Sequence, residues 1–236
     1  MVVSIILLVL GAIMSTVFIV SKVTNYSLKT IIFKTIASLF FVALGIYLFV
    51  VTTGHFYFKL FLLLGLIFGL LGDILLGFKY ITTKTKKMWI MLGLFAFAFG
   101  HISYLVSLFL EFYVPGQTLF AILPFVLAVV LTSIYLVIAH KVDIRFGKKL
   151  LPFCIFYLLC LTSMVSTSLF MAILHSFSIK TGILFFIGAV FFCASDFMLT
   201  GSYFKKGDRS KTYLAVYSIC YYTAQFLIAF SLFFLL

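Results

Sequence analysis

Acidic residues are nearly missing from this chain. Asp and Glu number 5 in 236 residues, and charged residues of both signs make up only 9%. A soluble domain is about a quarter charged. Together with 65% hydrophobic residues and a mean hydropathy of +1.33, the shortage of charge excludes a soluble protein and identifies an integral membrane one. Cysteine is sparse and unpatterned: Cys154, Cys160, Cys193 and Cys220 all lie in apolar runs, with no Cys-x-x-Cys and no His at ligand spacing. They read as small buried hydrophobes rather than as metal ligands or disulfides. The 17 Lys and Arg lie in short loops between apolar runs, not on one face, so the net charge of +12 signals membrane topology and contact with lipid phosphate, not a nucleic-acid partner.

With about 20 residues as the length of a span, eight apolar segments are expected, over 2–21, 30–52, 58–78, 88–110, 117–139, 149–172, 181–201 and 212–236. The loops are too short for another domain, so the expected architecture is one all-α domain of eight transmembrane helices over 1–236. Alternate connections hold Lys22 and Lys29; Lys79, Lys84, Lys86 and Lys87; Lys141, Arg145, Lys148 and Lys149; and Lys205, Lys206, Arg209 and Lys211. By the positive-inside rule these connections are cytoplasmic and both termini lie on the far side. The first segment has no basic leader and no small-residue cleavage site, so it reads as a retained helix. The membrane would be the plasma membrane in a bacterium or the endoplasmic reticulum in a eukaryote. Tyr47, Tyr57, Tyr80, Tyr113 and Trp89 sit near span ends, where interfacial anchors belong.

Against this background two of the five acids stand out. Asp73 and Asp196 lie inside spans, in the similar contexts Leu-Gly-Asp-Ile-Leu-Leu-Gly and Ala-Ser-Asp-Phe-Met-Leu-Thr-Gly. A carboxylate at membrane depth costs roughly 2.5 to 3.5 kcal/mol on insertion scales, which marks a functional site by default. Counting from Lys79 and Lys205 at 1.5 Å per residue, both lie on the order of 10 Å inside the cytoplasmic edge. Lys34 shares this layer. Deeper lie His101 and Tyr104, one helical turn apart, and Tyr221, Tyr222 and Gln225 on the last span. Each residue also has a plainer reading. The aspartates would then pair helices or neutralise Lys34, Lys34 would snorkel to the interface, and His101 would be an interhelical hydrogen-bond partner.

The two aspartate segments are four helices apart, which suggests two parallel four-helix halves, although short Gly, Leu and Phe patterns also recur by accident. An offset of 123 residues relates Asp73 to Asp196, carries Lys34 onto Tyr157, and brings His101 to within one residue of Gln225. A pseudo-twofold of this kind would bring the aspartates together on its axis.

Four segments carry a resemblance to a known family: Gly-Leu-Ile-Phe-Gly-Leu-Leu-Gly-Asp-Ile-Leu-Leu (65–76), Phe-Gly-His-Ile-Ser-Tyr (99–104), Gly-Ala-Val-Phe-Phe-Cys-Ala-Ser-Asp-Phe-Met-Leu (188–199) and Tyr-Tyr-Thr-Ala-Gln-Phe-Leu-Ile-Ala (221–229). In order and placement they resemble the signature segments of the YhhN family, eight-helix membrane proteins whose characterised members hydrolyse the vinyl ether bond of lysoplasmalogens. One departure is Lys34-Thr35, where the family usually has Lys-Pro. The resemblance implies a lysophospholipid substrate in the bilayer, and no metal or cofactor is expected, since two Asp and one His on separate helices make a thin ligand set. It also implies chemistry in which one carboxyl group protonates the alkene and a carboxylate stabilises the resulting oxocarbenium ion, as in glycoside hydrolysis. On this reading Asp73 and Asp196 are the acid/base pair, with the two roles unassigned. His101, Tyr104, Tyr221, Tyr222 and Gln225 line the site, and Lys34 meets the phosphate. A proton-coupled carrier or lipid transporter using the same aspartates is the alternative.

Overall fold

The computed structural model describes residues 1–24, 26–79, 81, 84–175, 178–205 and 210–235. Eight helices follow one another: α1 (Val2–Thr24), α2 (Leu28–Val51), α3 (Phe56–Phe78), α4 (Lys86–Phe112), α5 (Thr118–Lys141), α6 (Leu151–Leu174), α7 (Lys180–Phe204) and α8 (Lys211–Ser231), the last extended by a 3₁₀ turn over Leu232–Leu235. Each is long and apolar enough to cross a bilayer. Among the described residues the only β pairing is one isolated bridge between Ile144 and Lys205. The protein is therefore all-α and multi-pass.

Local chemistry sets the helix ends. Ser27 precedes α2 and its backbone N–H donates to Thr30 Oγ1 at 3.1 Å, while the Ser210 hydroxyl accepts from the Tyr213 N–H at the start of α8. Pro152 sits in the first turn of α6, where its missing N–H would have no partner anyway. At the end of α2, Lys59 donates to the carbonyls of Phe49 and Thr52, so an ammonium meets the carbonyl end of a helix. Alternation of the helices gathers Lys22, Lys29, Lys79, Lys84, Lys86, Lys87, Lys141, Arg145, Lys148, Lys149, Lys205 and Lys211 at one end of the bundle; Lys206 and Arg209 lie outside the described residues.

The packing has an internal order. α1 packs on α2 as α5 packs on α6. The same holds for α2 on α3 and α6 on α7, for α3 on α4 and α7 on α8, and for α2 on α8 and α6 on α4. Exchanging the two sets of four helices preserves these pairings, but α1 also packs on α8 without a comparable contact of α5 on α4 among the described residues, so the correspondence of the halves is incomplete. α1 and α5 are the least buried spans. Glycine permits the tightest approaches: Gly65, Gly69 and Gly72 share one face of α3, and a Cβ at Gly65 would run into the Tyr104 ring of α4.

The expected anchors divide. Tyr57 and Tyr113 are exposed, and Trp89 bonds Thr85 at the foot of α4. Tyr47 instead packs against the central core, because its side chain faces the bundle rather than lipid. Tyr80 lies outside the described residues.

Candidate functional site

α3 and α7 each carry one aspartate into the bundle, where Asp73 is 2% and Asp196 4% exposed. The surroundings of the two differ. Asp73 Oδ1 pairs with Lys34 Nζ at 2.8 Å, and its Oδ2 accepts from Ser38 Oγ at 2.5 Å and from the Tyr221 hydroxyl at 2.8 Å. Lys34 and Ser38 are one turn apart on α2, so one face of that helix supplies a cation and a donor together. Asp196 Oδ2 accepts from the Tyr157 hydroxyl of α6. Among the described residues no Lys, Arg or His nitrogen lies within ion-pairing distance of it.

A second layer holds these partners in place. Gln225 donates through Nε2 to the Tyr221 hydroxyl at 3.2 Å and accepts at Oε1 from the Tyr104 hydroxyl at 2.9 Å. Gly69 gives the Gln225 amide its room, since a Cβ there would meet Nε2. His101 Nε2 lies 3.2 Å from the Tyr157 hydroxyl, while its buried Nδ1 has no hydrogen-bond partner among the described residues. Two chains result: Tyr104, Gln225, Tyr221, Asp73 and His101, Tyr157, Asp196. Under exchange of the halves the first partner of Asp73, from α2, corresponds to the partner of Asp196, from α6.

Both aspartates border a cavity of about 40 Å³ at the lysine-rich end, together with Lys22, Lys34, Ser195, Tyr221 and Tyr222. That is room for a few waters. Asp196 also borders a second cavity of about 30 Å³ beside Tyr157, and Leu76, Phe97, Leu199 and Tyr203 border both. Of the residues expected to line the site, Lys34, Tyr221 and Tyr222 do so. His101, Tyr104 and Gln225 stand behind it and reach the aspartates through Tyr157 and Tyr221. Lys34 is bound to Asp73 rather than reaching to the interface, and it supplies the counterion without which a buried carboxylate would be left uncompensated. Sequence reading did not single out Ser38, Lys22 or Ser195, and it met Tyr157 only as the image of Lys34. Ser38 had a signal, its position one turn after Lys34.

Among the described residues no group of three His, Cys, Asp or Glu has the geometry of a metal site. The sequence model of the YhhN family matches residues 29–232. Comparison with curated proteins and with solved structures returned no match.

Proposed function

This chain belongs to the YhhN family, and from that premise we propose that it hydrolyses the vinyl ether bond of a lysophospholipid, releasing a fatty aldehyde and a glycerophospho-alcohol. The observation that carries the proposal is the unequal environment of two carboxyl groups on one cavity. Asp73, with a cation and two hydroxyl donors, is equipped to remain a carboxylate. Asp196, bonded to one phenol and with no ion-pair partner among the described residues, is suited to hold a proton. Two carboxyl groups with unlike surroundings are how acid and base roles separate in one site.

In the proposed reaction Asp196 gives its proton to the alkene carbon remote from the ether oxygen, leaving an oxocarbenium ion. The Asp73 carboxylate faces that positive charge and takes a proton from the water that adds to it. The hemiacetal then collapses, its hydroxyl proton passing to the departing alcohol oxygen. Proton transfer from Asp73 to Asp196 through cavity water restores the starting state. No Ser or Cys nucleophile is required. Lysoplasmenylethanolamine supplied to the purified protein should give aldehyde, the saturated-ether analogue none, and the Asp196→Asn variant far less from the vinyl ether.

The packing pairs that the two halves have in common favour a second reading, a proton-coupled carrier of lipid or solute. A carrier would move its cargo into proteoliposomes without any chemical product. The enzyme would give product without requiring sealed vesicles.

A further inference from the structure

One wall of the polar cavity is shared with a second hollow. Tyr222, one of its walls, also borders an apolar groove of about 450 Å³ on the lipid-facing side of α1 and α8. Leu8, Ala12, Ser15, Thr16 and Ile19 form one side of this groove, at the spacing of one helical face. Ile219, Tyr222, Thr223, Phe226 and Phe230 form the other. On each helix the groove runs over twelve residues, a rise of about 16 Å. This is close to half of a roughly 30 Å hydrocarbon core and so to the depth one acyl chain reaches. Ala12, Ser15 and Thr16 are small where Tyr222 and Phe226 are large, which leaves the space open. The edge-on contact of Phe18 with Tyr222, centroids 5.7 Å apart, is the partition between groove and cavity.

At the cavity end stands Lys22. Its Nζ donates to Ser218 Oγ at 2.6 Å and lies 3.8 Å from the centroid of the Tyr217 ring. Among the described residues no carboxylate is within ion-pairing distance of it, in contrast to Lys34, which Asp73 holds. Lys22 borders the polar cavity, three residues beyond Ile19 of the groove, and the two aspartates border that same cavity; a cation so placed next to an apolar groove has the pattern of a phosphorylated single-chain amphiphile.

We infer that α1 and α8 form the substrate-binding site for one hydrocarbon chain, with Lys22 holding the phosphate and the Phe18–Tyr222 partition parting to let the bond near the headgroup reach the aspartates. This rests on the lysophospholipid reading above and adds where the substrate lies. A second copy of this chain and bulk bilayer lipid are the competing occupants of the groove.

The probe is a saturated-ether lysophosphoethanolamine, which the proposed reaction cannot cleave, made with a photoreactive diazirine either beside the ether or at the chain end. Added to the full-length protein in lipid nanodiscs, the first should label around Ile19 and Tyr222 and the second around Leu8 and Phe230. The Ala12→Phe substitution, on an exposed position of α1, should weaken binding of the long-chain probe by about tenfold through lost chain contacts. Lys22→Gln should weaken it by about tenfold too, while leaving the phosphate-free alkylglycerol unaffected. Labelling spread equally over α5, which is as exposed as α1, would mean bulk lipid and overturn the inference. So would a change of oligomeric state in Ala12→Phe, which would mean a second copy. Groove labelling without aldehyde release from the vinyl ether would keep the chain site and end the hydrolase reading; aldehyde release without groove labelling would do the reverse.

Discussion

Asp73 and Asp196 border one cavity from α3 and α7, yet Asp73 is ion-paired to Lys34 at 2.8 Å whereas Asp196 is held by the neutral hydroxyl of Tyr157.

Replacing Asp196 by Asn keeps the shape and the bond from Tyr157 but removes the transferable proton. Turnover of a vinyl ether lysolipid should fall by about 10²- to 10⁴-fold, the usual contribution of a general acid, with the melting temperature nearly unchanged. Aldehyde release by a monodisperse preparation measures this, and turnover within a few-fold of wild type would remove Asp196 from the mechanism.

Asp73→Asn should be damaging in a different way. It leaves the Lys34 ammonium buried without its counterion, a loss of roughly 3–5 kcal/mol. The double variant Asp73→Asn/Lys34→Met should recover thermal stability while remaining inactive. Thermal unfolding and aldehyde release, measured on the single and double variants together, separate the structural role from the chemical one.

Tyr157→Phe removes one hydroxyl and strands two buried groups, Asp196 Oδ2 and His101 Nε2. The expected cost is about 1–3 kcal/mol for a polar group left unpaired. Adding His101→Leu should restore part of that stability, since one stranded group is then removed. A double variant less stable than the sum of the single changes would show that His101 is held by something other than Tyr157.

Gly69→Ala should push the Gln225 amide off its present position and through it Tyr221, which donates to Asp73. Overpacking of this kind costs typically 1–3 kcal/mol, here about the same, and kcat should fall more than KM rises. Gly147→Ala is the control, because a Cβ at Gly147 meets nothing within 4 Å. Equal kinetics for the two variants would disconnect the second layer from the site.

Lys59→Met tests whether every buried lysine belongs to the site. Lys59 closes the end of α2 through the Phe49 and Thr52 carbonyls. Its loss should lower stability by about 1–3 kcal/mol and leave kcat per folded molecule unchanged in the aldehyde assay.

What the sequence determined by itself follows from transfer energies that act on each residue separately. Apolar runs of span length specified eight helices to within a few residues at most ends, because a backbone in hydrocarbon must satisfy its hydrogen bonds internally. The alternation of lysines specified which helix ends lie together. The cost of burying a carboxylate singled out Asp73 and Asp196 from composition alone. Even the correspondence of Lys34 with Tyr157 was present as a numerical offset, though nothing in the sequence said what it meant.

Tertiary structure decided who meets whom. Depth places Lys34, Asp73 and Asp196 in one layer but does not say that Lys34 pairs with Asp73 and leaves Asp196 to Tyr157. That depends on how α2, α3, α6 and α7 are rotated about their axes. The packing of the other helices likewise keeps His101, Tyr104 and Gln225 behind the cavity wall, brings Lys22 and Ser195 to it, and sets Ser38 on Asp73. Insertion into the membrane depends on a sum over residues of one helix, which a sequence contains. A hydrogen bond between helices depends on the relative position of two atoms to within a few tenths of an ångström, and only packing sets that.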